Sequence, residues 1–184
     1  HAMGAITNGL AIHKLRSFAS TFFAFVDYLK PAIRMSGLSH LPTVYIFSHD
    51  SIAVGEDGPT HHPIEQLTML RSIPNNYLYR PCDANELKVA WKQSLLSVDH
   101  PSCIILSRQN LPLIEGSRSE DVEKGGYIIS KERQGEPALT LIATGSEVSL
   151  CMEVQKELLM EGIDIRVVSM PCQELFLKQD GAYI

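Results

Sequence analysis

The stretch TVYIFSHDSIAVGEDGPTHHPIEQ, residues 43–66, joins a short apolar segment to a loop crowded with polar side chains. Its first five residues, Thr43 to Phe47, have the β-branched and aromatic pattern of a buried strand. The loop from Ser48 to Pro63 then holds three histidines, three carboxylates and two glycines. Loops that leave the carboxyl ends of parallel strands line the crevice where α/β proteins bind ligands. The stretch therefore predicts an α/β fold with a binding or catalytic site on this loop.

Similar apolar segments recur on both sides of the loop, and helix-like segments separate them. The predicted strands are Phe18 to Val26, Thr43 to Phe47, Asn76 to Tyr79 and Ser102 to Leu106. The predicted helices cover residues 1–13, the segment from Asp27 to His40 with Pro31 in its first turn, the segment from Ile64 to Pro74, and a helix that begins after Asp83. Strands that alternate with helices in this way favour a mostly parallel sheet flanked by helices.

The helix after Asp83 carries a start signal and an apolar face. Asp83 can cap its first turn, and Glu86 follows three residues later, which is the spacing of a capping box. The residues predicted to face the core are Leu87, Ala90, Trp91 and Leu95.

A change in composition divides the chain, because the segment from Ser117 to Pro137 is charged and contains glycine. We predict a first domain over residues 1–117, a linker over 118–136 with a short strand at Gly126 to Ile129, and the start of a second α/β domain over 137–184. The second domain would open with one βαβ unit, formed by strand Ala138 to Ala143, helix Glu147 to Met160 and strand Ile163 to Ser169. One such unit cannot bury both faces of its sheet, so further chain or a partner is expected to cover it.

The composition excludes several classes of protein. The 184 residues are 45% hydrophobic and 20% charged, which is a globular balance, and the net charge of -5 argues against nucleic acid or an anionic membrane as a partner. The four cysteines form no CxxC pair, and no other group of side chains predicts a metal site in this chain. We find neither a signal peptide nor an apolar run of roughly 20 residues, and therefore expect a cytoplasmic protein.

Four side chains at predicted strand ends could bind a substrate. His49 and His61 lie on the loop with Asp57 between them, an arrangement suited to a polyhydroxylated or phosphorylated ligand, although histidines on an exposed loop need not bind anything. Arg108 follows the strand that ends near Leu106, and its guanidinium can hold a phosphate by two hydrogen bonds. The alternative for Arg108 is an interdomain salt bridge.

The loop resembles the signature of the transketolase family, enzymes that use thiamine diphosphate. The resemblance is specific and covers essentially the whole chain. The segments that carry it are Ser48 to Gln66, Arg80-Pro81-Cys82-Asp83, Ser107-Arg108-Gln109-Asn110 and Ala143-Thr144-Gly145-Ser146-Glu147-Val148. It implies the family's middle, pyrimidine-binding domain followed by the start of its carboxyl-terminal domain.

The resemblance also implies roles for individual residues. His49 would contact the sugar phosphate, Asp57 a substrate hydroxyl near the reacting carbon, and Arg108 the substrate phosphate. His61 would bond the hydroxyl of the transferred two-carbon unit and is the predicted catalytic residue. His62 stands where glutamine is common in the family, and we assign it no role.

Three aromatic residues, Phe22, Phe25 and Tyr28, follow one another at intervals of three. From composition alone, such a run is ordinary core. In the family, similar positions stack against the aminopyrimidine ring of thiamine diphosphate, so the resemblance implies that these three residues bind the cofactor.

We therefore predict a fragment of a transketolase, a transferase of the pentose phosphate pathway that moves a two-carbon ketol unit from a ketose phosphate to an aldose phosphate. The resemblance implies a homodimer with the active site at the subunit interface, and Mg²⁺ or Ca²⁺ bound by an amino-terminal domain that this chain lacks. The segment alone is predicted to be inactive.

Two alternatives remain. One is a non-catalytic transketolase-like interaction module, and the other is a related thiamine enzyme such as dihydroxyacetone synthase. The segments Glu56 to His61 and Ser107 to Asn110 argue against deoxyxylulose phosphate synthase.

Overall fold

The computed structural model describes residues 1–184, apart from the side chain of Ser119. The chain packs as two compact units. The first unit comprises His1–Tyr79 and Ala90–Asn110, and the second comprises Arg80–Val89 and Leu111–Ile184. The domain bounds at 117 and 137 stay a prediction.

The first unit is built on a four-stranded sheet in which every pair of neighbouring strands is parallel. Its strands are β1 (Phe18–Phe22), β2 (Val44–Ser48), β3 (Tyr77–Tyr79) and β4 (Ser102–Ile105), in the spatial order β1-β2-β4-β3. The helices are α1 (Ala2–Ile12), α2 (Lys30–Leu38), α3 (Gln66–Arg71) and α4 (Ala84–Leu96), of which α4 begins in the second unit. The predicted fold class, a mostly parallel sheet flanked by helices, is confirmed.

The prediction of a strand over Phe18 to Val26 was wrong in its second half. The strand ends at Phe22, and Phe23–Tyr28 form a 3-10 helix. With three residues per turn, Phe23 and Val26 lie on one face, and both are fully buried. Burial of these two residues in the core therefore outweighs the strand propensity of the sequence.

The predicted apolar face of α4 was also partly wrong. The buried residues of the helix are Glu86, Val89, Ala90 and Ser94. Leu95 is 49% exposed, and Leu87 and Trp91 are half-buried. The cap itself is present, because the backbone N–H groups of Asn85 and Glu86 both donate to Asp83 Oδ1 at 3.0 Å.

The second unit has a smaller, mixed sheet. Its strands are β5 (Tyr127–Ser130), β6 (Leu139–Ala143) and β7 (Ile165–Ser169), and its helices are α5 (Ser119–Val122), α6 (Glu147–Met160) and α7 (Gln173–Phe176). β7 lies in the middle, parallel to β6 and antiparallel to β5. The order β6-α6-β7 is the predicted βαβ unit, and β5 falls within the segment predicted as a linker.

One face of this sheet carries an uncovered apolar row. Ile128 and Ile142 both pair with Val168 in the register and are 40% and 64% exposed.

None of the helices in the described part of the chain combines the length and the apolar character that crossing a membrane requires.

Candidate functional site

The polar loop begins where β2 ends at Ser48, at the carboxyl edge of the parallel sheet. Two short 3-10 helices, Ile52–Asp57 and Pro59–His61, give the loop its shape. His49 has φ of +65°, in the left-handed region that residues other than glycine seldom adopt. Strained backbone of this kind concentrates at functional sites, since the surrounding structure must hold it in place.

Four aromatic rings meet at this edge of the sheet. The ring of Phe22 stacks on that of His49, with centroids 3.9 Å apart and planes 23° apart. Phe22 and Phe25 lie parallel within 8°, with centroids at 6.2 Å. The edge contact between Phe25 and His61 has centroids at 5.3 Å and an interplanar angle of 75°. We call Phe22, Phe25, His49 and His61 the ring cluster.

Tyr28 extends the ring cluster outward, with its ring centroid 6.4 Å from that of Phe25. Phe25 and Tyr28 are 37% and 60% exposed, so they present aromatic faces to the surroundings. The structure thus brings together both histidines and all three aromatic residues that were singled out in the sequence.

Each histidine of the ring cluster has a hydroxyl group beside its Nδ1 atom. The Ser48 hydroxyl lies 3.0 Å from His49 Nδ1, and the Thr60 hydroxyl lies 2.9 Å from His61 Nδ1. These contacts engage one ring nitrogen and leave Nε2 of both histidines for a ligand. Ser48 and Thr60 were not predicted from the sequence, although a hydroxyl residue directly before each histidine was a visible signal.

Gln66 fastens the far end of the loop to the aromatic turn. Its amide nitrogen donates to Asp27 Oδ2 at 3.3 Å, while its amide oxygen accepts from the backbone N–H of Ile64 at 2.8 Å. The side chain is buried, at 5% exposure. This link was also missed, because nothing in the sequence pairs Gln66 with Asp27.

Arg108 and Asp57 are not part of the ring cluster. Arg108 follows β4, is exposed, and places its guanidinium against the backbone of Gly55 on the loop. Asp57 ends the first 3-10 helix of the loop and is exposed.

This loop and the ring cluster offer side chains for two kinds of chemical group. Open aromatic faces suit a planar heterocycle. Imidazoles, a carboxylate and a guanidinium suit hydroxyl and phosphate groups. Among the described residues, no group of three His, Cys, Asp or Glu side chains is placed to hold a metal ion.

The second unit contains a buried polar cluster around Glu86, where the sequence predicted only a helix cap. Glu86 has no exposed surface and accepts hydrogen bonds from the Ser169 hydroxyl at 2.6 Å, the Tyr127 hydroxyl at 2.9 Å and the backbone N–H of Cys82 at 2.7 Å. Burial raises the pKa of Glu86, and these hydrogen bonds offset the increase only in part. Burial, together with the nearby Glu86, raises the pKa of Tyr127 and of Cys82 as well.

A buried arginine lies close by in the same unit. Arg80 is 4% exposed, donates to the carbonyl oxygen of Thr144 at 2.8 Å and pairs with the carboxylate of Glu147. Burial acts to raise the pKa of Glu147, but the hydrogen bond and charge of Arg80 outweigh it, so the pKa is lowered. Two sequence segments, Arg80 to Asp83 and Ala143 to Val148, are therefore joined in one structural contact.

Two models of known protein families match the chain. A family model described as "Transketolase, pyrimidine binding domain" matches residues 1–114. The chain belongs to the transketolase family. A second model, the "Transketolase-like TK C-terminal domain", matches residues 125–184. The resemblance predicted from the sequence is confirmed.

Individual transketolases match the chain along its whole length. It is 54% identical over 186 residues to the transketolase of Bacillus subtilis, covering 99% of this chain and 28% of that relative. A crystal structure of the Pichia stipitis transketolase with sedoheptulose-7-phosphate matches with a TM-score of 0.95 and 45% identity, over 100% of this chain and 27% of that one. The chain thus spans little more than a quarter of these relatives.

A shorter structural relative is described as "Split gene transketolase, inactive beta4 tetramer". It matches with a TM-score of 0.78 and 27% identity, over 92% of this chain and 53% of its own chain.

Proposed function

We propose that this chain forms the substrate-facing and pyrimidine-facing part of a transketolase active site. The reaction is the transfer of a two-carbon ketol unit from a ketose phosphate to an aldose phosphate. The observation that supports this proposal best is the ring cluster, because it joins the aromatic residues assigned to the cofactor with the histidines assigned to the substrate.

The aromatic residues fit the pyrimidine end of thiamine diphosphate. Phe25 and Tyr28 offer exposed ring faces, and the parallel ring of Phe22 continues the same surface. When bound, thiamine diphosphate supplies the electron sink for carbon–carbon bond cleavage. The diphosphate and its Mg²⁺ or Ca²⁺ are assigned to the amino-terminal part of transketolases, and we derive no step through them.

The polar residues would bind different parts of the sugar. His49 and Arg108 would hold the phosphate end, since a guanidinium and an imidazole both donate to anionic oxygens. Asp57 and His61 would hold the hydroxyl groups near the reacting carbon. The Thr60 hydroxyl lies beside His61 Nδ1, so Nε2 is left for the substrate. Nε2 would form or release a hydrogen bond to the substrate hydroxyl as charge develops on it.

The 184 residues by themselves are proposed to be inactive, since none of them is assigned to the diphosphate or the metal. The similarity of these residues to an inactive split-gene subunit supports this. We further propose that the complete site forms across a homodimer, in the cytoplasm, as part of the pentose phosphate pathway. Exposed apolar side chains on α1, with Ile6 64% and Ile12 63% exposed, are consistent with a packing partner.

A chimeric enzyme tests the proposal directly. The segment of the Bacillus subtilis transketolase that matches this chain is replaced by this chain; we refer to the product as the chimera. We expect the chimera to transfer the two-carbon unit from a ketose phosphate, with thiamine diphosphate and Mg²⁺ added. A folded chimera that binds thiamine diphosphate but transfers no ketol unit would contradict the proposed function.

The isolated chain provides the second arm of this test. It should show no transfer under the same conditions, at a protein concentration well above that of the chimera. Transfer by the purified chain alone would overturn the assignment of the diphosphate and metal residues to another part of the enzyme.

A further inference from the structure

We propose that Phe22 is a positioning residue that orients the ring of His49 toward the phosphate end of the sugar, and so sets the preference for phosphorylated donors. This rests on the proposed function, in which His49 contacts the phosphate. The resemblance assigns Phe22 to the cofactor alone. The structure gives it a second contact, because its ring lies face to face with His49 at 3.9 Å.

The strand register brings these two rings together. Phe22 is the last residue of β1, and its partner in β2 is Ser48, the residue directly before His49. Both side chains therefore emerge at the same carboxyl edge of the sheet. The pairing is built into the hydrogen-bonded core of the fold rather than into the loop.

The backbone of His49 alone does not determine where its ring points. Its φ of +65° turns the chain out of the strand direction, and the ring is only half-buried. The Ser48 hydroxyl engages Nδ1 at 3.0 Å, but a single hydrogen bond at one ring atom still permits rotation about it. The flat face of Phe22 removes that freedom, since rotation of the imidazole out of the stack would lose the aromatic contact.

The ring contacts of His61 differ from those of His49, so a change at Phe22 should affect the two histidines differently. Its contact with Phe25 is edge-on at 75°, and its ring centroid lies 6.4 Å from that of Phe22. Loss of the Phe22 ring should therefore disturb His49 first. In the proposed function, this means the phosphate end of the sugar rather than the reacting carbon.

The kinetic test compares a phosphorylated ketose donor with a donor that lacks the phosphate, in the chimera at saturating thiamine diphosphate. Phe22→Leu should lower kcat/KM for the phosphorylated donor by about tenfold to a hundredfold, mainly through KM, the range expected for a misplaced binding group. The donor without phosphate should lose far less. Phe22→Tyr keeps the stacked ring and should restore the preference.

Phe18→Leu is the matched control, because Phe18 lies at the other end of β1, is 66% exposed and contacts Trp91 instead. It should leave the ratio of the two donors unchanged. An unchanged ratio in Phe22→Leu would overturn the proposal. If both donors lost activity equally, Phe22 would act only through the cofactor or the fold, and if neither lost activity, its ring would not position His49.

A second measurement needs neither activity nor a destabilising variant. In the NMR spectrum of the isolated chain, the ring protons of His49 should be shifted upfield by the face of Phe22; His49→Asn identifies the signal and tolerates the positive φ. Ring protons of His49 at their unperturbed position in the folded chain would overturn the proposal. The NMR measurement involves no substrate, so it tests the contact between Phe22 and His49 independently of the proposed function. An inactive chimera would instead contradict the proposed function.

Discussion

The guanidinium of Arg108 lies so close to the backbone of Gly55 that a β-carbon at position 55 would come within 3.3 Å of Arg108 Cζ. Gly55 also has φ of +78°, a conformation that strains any residue with a side chain. The glycine therefore serves two purposes, since it allows the loop to turn and it leaves room for the arginine.

Gly55→Ala should separate these two purposes when it is compared with Gly162→Ala. Gly162 has a similar φ of +81° but open space around its Cα. Gly162→Ala should lose roughly 1 kcal/mol of unfolding free energy in urea denaturation, because it forces a residue with a β-carbon to adopt a positive φ. Gly55→Ala should lose more, because the combination of φ +78° and ψ -133° at this position is essentially restricted to glycine. Only Gly55→Ala should raise KM for a phosphorylated donor in the chimera. An equal KM in the two variants would show that the Arg108 contact has no bearing on the phosphate.

The contact of Arg80 with Thr144 and Glu147 predicts a large stability effect in the second unit. Arg80→Ala removes a buried cation together with its hydrogen bonds to a carbonyl and a carboxylate. We expect a loss of about 2 kcal/mol in the free energy of unfolding, below the value for a fully buried pair because the side chain of Glu147 is 47% exposed.

Urea denaturation of the isolated chain measures this loss, and Arg133→Ala is its control. Arg133 is exposed, so its removal should change stability by less than about 0.5 kcal/mol. Similar losses in the two variants would contradict a structural role for Arg80.

The buried carboxyl of Glu86 predicts how stability depends on pH. Its pKa is raised in the folded chain above the ordinary value of 4.5, first of all by burial. Glu86 therefore contributes most to stability below that value, and the contribution is lost as the pH rises through the folded-state pKa. Cys82, Asp83 and Tyr127 are the other titratable groups beside it, and no basic side chain is among the causes of its shift.

Glu86→Gln remains uncharged, so its stability relative to the wild-type chain should improve as the pH rises from the ordinary carboxyl pKa through the raised pKa of folded Glu86. The measurement is the difference in unfolding free energy between the two chains at several pH values. Glu157→Gln, at an exposed position of α6, should show no such trend. A difference for Glu86→Gln that stays constant with pH would argue against the raised pKa.

The sequence was sufficient for the parallel sheet and the site loop, because continuous apolar segments and the loop signature are local features. It could not show that Phe22 touches His49, since that contact depends on the register of β1 against β2. It also misread Phe23 to Val26 as strand, because only tertiary packing reveals that these two residues share a buried face. Helical spacing of apolar residues also predicted that Leu95 is buried, but the structure buries Glu86 and Ser94 of α4 and leaves Leu95 exposed.

His61 provides the most direct test of how the ring cluster divides cofactor from substrate. In the chimera, His61→Ala should lower turnover on the order of a hundredfold, since it removes a group proposed to exchange a hydrogen bond or proton at the reacting hydroxyl. Affinity for thiamine diphosphate should fall by less than about tenfold, the size of one lost aromatic contact, because Phe22, Phe25 and Tyr28 all remain. The neighbouring His62 has no assigned role, so His62→Ala should leave both quantities near the wild-type values. Losses of equal size in turnover and cofactor affinity for His61→Ala would place this histidine on the cofactor side of the cluster, because a substrate-side group cannot weaken cofactor binding and turnover to the same extent.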